Sequence, residues 1–174
     1  MANTYTLIAS STVGAGGSAS IDFTSIPGTY TDLSLKVSIR AANAAAYNSA
    51  NVTFNGSATG YSEINLYGNS SGSVSLSNSG AQIDYLWADA ANATASTFGN
   101  SEFYIPNYAG STNKSISFDI TSENNATTVN TAFAGMMAAL WSNTAAINRI
   151  TITAGSSSTF VQYSTAYLYG VKNA

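Results

Sequence analysis

Thr31-Asp32-Leu33-Ser34-Leu35-Lys36-Val37-Ser38-Ile39-Arg40 alternates polar and apolar residues without a slip. Successive side chains of an extended chain point to opposite faces, so Leu33, Leu35, Val37 and Ile39 gather on one side. Asp32, Ser34, Lys36, Ser38 and Arg40 take the other. Wound as a helix, the same residues would scatter their aliphatic groups around the axis. The stretch reads as a half-buried β-strand with its polar face toward water, and much of the chain repeats its logic.

Working outward, Tyr5, Leu7 and Ala9 form a first strand, and Ile21 and Phe23 flank Asp22 in a second. Ile26-Pro27-Gly28 breaks the chain before the principal strand, because proline fixes φ and glycine permits a tight bend. Beyond it, residues 41–50 are Ala- and Asn-rich and read as a loop or a single helical turn. Val52 and Phe54 make a brief strand closed by Asn55-Gly56, a tight-turn dipeptide. Ile64 and Leu66 share a face of the next strand, and residues 69–80, a Ser/Gly/Asn tract, read as an exposed hairpin. Ile83, Tyr85 and Trp87 are expected on one face of the following strand, with Asp84 pointing away.

Residues 98–105 are extended and Pro106 stops them, while Ile116, Phe118 and Ile120 repeat the opening pattern. Residues 128–141 fit either period; Gly135 weakens a helix, so a strand covered on both faces is expected. Ile150 and Ile152, then Tyr167, Tyr169 and Val171, supply two more strands. About ten short strands between Gly, Asn and Ser turns imply an all-β fold. The expected architecture is one domain over residues 1–174, a two-sheet antiparallel sandwich with jelly-roll strand order.

Charged residues make up only 7% of the 174 residues, with a net charge of −3. An ordinary globular chain carries about a quarter. Such a neutral polar surface suits a permanent assembly better than a free cytosolic protein, which relies on charge for solubility. Lys36, Arg40, Lys114, Arg149 and Lys172 are dispersed in sequence, which argues against nucleic acid and against a polybasic membrane patch. No apolar run is long enough to span a bilayer as a helix. Without cysteine or histidine there is no disulfide, no thiolate or imidazole chemistry and no His- or Cys-ligated metal. No cofactor is expected. The first residues lack a basic region followed by an apolar run, so synthesis in a cytoplasm without a secretory signal is expected.

Two carboxylates can hydrolyse a glycosidic bond unaided, but no pair among Asp22, Asp32, Glu63, Asp84, Asp89, Glu102, Asp119 and Glu123 is singled out by its surroundings. No Ser-x-x-Lys or Gly-x-Ser-x-Gly pattern and no Asp-rich calcium loop occurs. Aromatic residues are the livelier candidates. Tyr61, Tyr67, Tyr104 and Tyr108 sit at strand ends, where rings stack on sugars or anchor an interface. Trp87 and Trp141 lie in apolar patterns and read as core. Lys36 and Arg40 share a strand face with Asp32, about 13 Å apart at strand rise, a row able to dock an acidic partner. The blander reading of that row, a solvated sheet face, is preferred. The interface candidates are therefore Lys36, Arg40, Tyr61, Tyr67 and Tyr108.

Several landmarks resemble small virion structural proteins of tailed bacteriophages, cyanophages included. They are Ser25-Ile26-Pro27 followed by Tyr30, Asp32 and Leu33; Leu66-Tyr67-Gly68; and Phe98-Gly99-Asn100 leading to Ile105-Pro106-Asn107-Tyr108. Glu123-Asn124-Asn125-Ala126-Thr127, Leu140-Trp141 before Asn143-Thr144-Ala145-Ala146-Ile147, and Tyr167-Leu168-Tyr169-Gly170-Val171-Lys172 continue the match along the chain. The resemblance implies a non-enzymatic structural role in the virion. Its first form is a capsid decoration (cement) protein that binds the major capsid protein lattice, with a homotrimer at local threefold positions as one arrangement. Its alternative form is a tail-fibre or receptor-binding module that recognises host surface carbohydrate. The first strand begins close to Met1, which leaves no shaft and favours decoration. The alternative predicts a concave, aromatic-lined patch near Tyr61, Tyr67 or Tyr108.

Overall fold

The computed structural model describes residues 4–125 and 131–172. Among them twelve strands form and no helix: β1 (Tyr5–Thr12), β2 (Ser20–Phe23), β3 (Asp32–Ile39), β4 (Tyr47–Phe54), β5 (Tyr61–Asn69), β6 (Gly72–Gly80), β7 (Ile83–Asp89), β8 (Gly99–Ile105), β9 (Lys114–Ser122), β10 (Phe133–Trp141), β11 (Ile150–Thr153) and β12 (Thr165–Val171). They build two antiparallel sheets, one ordered β1-β12-β3-β8-β9-β10-β5-β6 and one ordered β2-β11-β4-β7. The expected two-sheet all-β sandwich is the fold.

Two antiparallel pairs, β5–β6 and β9–β10, lie side by side at one end of the larger sheet. Without them, eight strands remain. Renumbered in chain order they stand 1-8-3-6 and 2-7-4-5, an interleaving compatible with a jelly roll.

The alternation that begins at Leu33 does its work here. Leu33, Leu35 and Ile39 are wholly buried, and Phe103 on β8 stacks on Phe118 of β9 with centroids 4.4 Å apart. From the smaller sheet Ile21, Phe23, Val52, Phe54, Ile150 and Ile152 complete the same core. Each such aliphatic or aromatic side chain, fully buried, contributes about 1.5–3 kcal/mol. The polar face of β3 is less wet than its sequence implies. Ser34 is buried and donates to Glu102 at 3.0 Å; Asp32, also buried, accepts from Tyr104 Oη at 2.5 Å and Asn107 N–H at 2.8 Å.

Four local expectations need correction. Residues 41–50 are not all loop, because β4 begins at Tyr47 and buries Asn48 and Ala50. Residues 72–80 form one strand that pairs with β5, so the hairpin is made between elements rather than within the tract. In β10, Phe133, Met137, Ala139 and Trp141 are buried while Ala134, Met136 and Ala138 are exposed, so only one face is covered. Residues 128–130 of that expectation lie outside the described residues. Lastly, Ile83 and Trp87 face opposite ways. Val52 pairs with Ile83 and Ala50 with Leu86, so β7 spends two residues, Asp84 and Tyr85, against one on β4. That bulge reverses the alternation, and Tyr85 adopts φ +62° to make it.

Candidate functional site

The structure disperses the residues that the sequence singled out. Lys36 is exposed and pairs across strands with Glu102 at 3.1 Å. Arg40, only 9% exposed, is withdrawn from that face: its guanidinium donates to the carbonyls of Ala93, Thr94 and Thr97, at 3.3, 2.9 and 2.8 Å. With Asp32 buried as well, no open charged row exists on β3. The other cations are also engaged within the chain. Arg149 pairs with Asp22 at 2.7 Å, Lys172 lies 5.7 Å over the Tyr30 ring, and Lys114 is fully buried with Nζ donating to the carbonyls of Gly110 and Thr112. Burial without a carboxylate partner lowers the Lys114 pKa.

Of the tyrosines, two are core residues rather than surface anchors. Tyr61 stacks on Trp141 at 6.1 Å and its hydroxyl accepts from Phe54 N–H at 2.8 Å. Tyr108 is wholly buried, with its hydroxyl donating to the Pro27 carbonyl and accepting from Tyr30 N–H at 3.4 Å. Both sit at strand ends, as expected, but other loops fold over them. Tyr104 stays partly exposed; its hydrogen bond to Asp32, with some burial, pushes its pKa up to about 12.

Tyr67 behaves differently. It lines an open cleft of about 570 Å³ where β5 and β10 of the large sheet meet β4 and the edge strand β7 of the small one. Five rings build the cleft. Trp87 is the hub: Phe133 lies 3.9 Å from it, Tyr67 stands at 85° to it at 4.5 Å, and Tyr85 at 81° at 5.6 Å. Tyr47 closes the group at 4.7 Å from Phe133. Edge-to-face contacts of this kind add about 0.5–1.5 kcal/mol each beyond area burial, so the wall is rigid. Ser49, Asn69 and Asp84 complete the lining. Among the described residues none engages the hydroxyls of Tyr47, Tyr67 or Tyr85. Burial raises the Tyr67 pKa, and the neighbouring Tyr85 and Tyr47 raise it further.

Beside this cleft, β5 carries two polar side chains inward. Glu63 is 3% exposed and Asn65 wholly buried. Glu63 Oε1 accepts from Asp84 N–H at 2.6 Å, which ties the carboxyl to the β7 bulge. Among the described residues its Oε2 and both amide atoms of Asn65 have no hydrogen bond of good geometry, although the Asn65 amide lies near enough to the carboxyl to favour its charged form slightly. Burial, opposed by that N–H and aided by the Asp84 charge, lifts the Glu63 pKa to about 7. Sequence reasoning missed Asp84 and Tyr85 as cleft residues because the bulge that holds them leaves no mark in the alternation, and Tyr47 and Phe133 because they come from β4 and β10, remote in sequence.

The opposite face of the same strands carries an apolar ridge. Ile64, Leu66 and Met136 are 65%, 52% and 68% exposed, and Met136 pairs directly with Leu66 while Ala138 pairs with Ile64. Serines of β6 flank them, since Ser75 pairs with Leu66 and Ser77 with Ile64. No protein-family model, curated protein or solved structure matches the chain.

Proposed function

We propose that this chain is a structural protein of a tailed-bacteriophage virion, a decoration or cement protein that binds the major capsid protein lattice and stabilises the shell. The observation that carries this reading is the ridge of Ile64, Leu66 and Met136 on the outer sheet face. A sheet face with three large apolar side chains together, bordered by Ser75 and Ser77 on one flank and by Asp119 and Ser117 on the other, fits a protein interface. The sequence landmarks that resemble small virion proteins support the same reading. They cluster in structural joints: Tyr108 reaches the Pro27 carbonyl, Asn107 reaches Asp32, and Ile147 N–H donates to the Tyr108 carbonyl at 3.0 Å.

A shell offers many identical sites. A copy that bridges neighbouring subunits gains from effective concentration, so each contact need not be strong. Low charge then helps, because closely packed identical copies repel one another less. The test is co-sedimentation of the purified protein with empty capsid shells. Binding is expected for the native chain and loss of binding for Met136→Glu, with an unchanged circular dichroism spectrum. A native chain that stays in the supernatant, or a Met136→Glu chain that binds as well, overturns the reading.

A further inference from the structure

We propose that the aromatic cleft between the sheets binds a neutral pyranose unit of a polysaccharide, its ring set against tyrosine side chains and its hydroxyls shared with Asp84. The inference is independent of the capsid reading, because the cleft and the Ile64–Met136 ridge use opposite faces of β5 and β10.

Four features point to this ligand class. The cleft volume, about 570 Å³, falls within the ordinary range for small-molecule sites. Its walls are rings held by mutual edge-to-face packing around Trp87, and Tyr47 remains 36% exposed. The C–H face of a pyranose carries partial positive charge and complements the negative face of such rings. Tyr47, Tyr67 and Tyr85 line the same space, and their hydroxyls, which can donate or accept, have no partner among the described residues.

Asp84 decides between ligand classes. Its carboxylate accepts from Gln82 at 2.9 Å, Asn78 at 3.3 Å and, with its amide nitrogen turned inward, Asn51 at 2.8 Å. A carboxylate has about four acceptor sites, so these amides fix its position and leave room for one more donor. A sugar hydroxyl supplies that donor. A purely apolar ligand would bury the carboxylate without replacing its water. An anionic ligand would meet Asp84 with no cation among the lining residues to offset it. The strained φ of +62° at Tyr85 adds to the case, since the bulge turns that ring and Asp84 toward one space.

The experiment is a titration of the full chain with maltotriose, cellotriose and galactotriose, read by tryptophan emission and by amide chemical shifts. At least one neutral trisaccharide is expected to give a saturable change that shifts residues of β4, β5 and β7. Tyr85→Ala and Asp84→Asn are expected to weaken that binding by about tenfold or more, the loss of one good contact. If either fails to fold, Tyr47→Phe and Tyr67→Phe, which remove one oxygen each, are expected to weaken binding by roughly threefold. No saturable change with any of the three up to roughly 20 mM overturns the site. So does tighter binding of trigalacturonate, or an affinity unchanged in every folded variant.

Discussion

Glu63 brings a carboxyl into a wall of the sandwich where burial dominates its ionisation and raises its pKa from 4.5 to about 7. An acid with a raised native pKa holds its proton more tightly folded than unfolded. Between pH 4.5 and about 7 the unfolded chain releases that proton first, so stability falls as pH rises through this window and levels off above it. Glu63→Gln should remove that slope and be more stable than the native chain at pH 8 by about 1–3 kcal/mol. Denaturant midpoints at pH 5 and pH 8 for both chains test this; equal slopes would remove Glu63 as the cause. Arg40 poses the opposite case. It satisfies three loop carbonyls from a site 9% exposed, so Arg40→Met should cost about 2–4 kcal/mol and loosen residues 93–97. Amide exchange across that loop, unchanged in the variant, would contradict the assignment.

At the scale of elements, Gly135 shows how close β10 and β5 run. A Cβ there would sit 2.6 Å from the Leu66 carbonyl oxygen and 2.5 Å from Tyr67 Cβ. Gly135→Ala should therefore destabilise by about 1–3 kcal/mol by forcing the strands apart, although alanine is the better residue for an ordinary extended chain. A denaturant midpoint equal to or above the native value would show that the strands yield freely. The same pair marks the limit of what the sequence tells. Regular alternation made β9 legible, because burial there follows parity from end to end, and it placed the aliphatic face of β3 although Asp32 and Ser34 opposite are buried too. At Asp84–Tyr85 the inserted residue breaks parity, so Trp87, buried as expected, packs at the floor of the cleft instead of in line with Ile83, and the site disappears from the pattern. Arg40 was legible as the polar member of its strand but not as a buried one. What hides it is the loop at 93–97, remote in sequence. Tyr67 alone of the five interface candidates lines the aromatic cleft.

For the whole molecule, low charge is the feature that links the sequence to the proposed role. Among the described residues two ion pairs join side chains, Lys36–Glu102 and Arg149–Asp22, and all four side chains are substantially exposed. Exposed pairs contribute about 0–1 kcal/mol and are screened by salt. Unfolding free energy should thus change by less than about 1 kcal/mol between 0.05 and 1 M sodium chloride. A larger change would mean that charge holds the sandwich together more than its core does. Decoration of a shell by this sparsely charged sandwich is the proposal on which the functional account rests. Its most direct measurement is a cryo-electron microscopy reconstruction of the particle that carries it. The account predicts sandwich-shaped density on the outside of the shell, with the Ile64–Met136 face against major capsid protein. Density confined to the tail, or particles that lack the protein altogether, would contradict it.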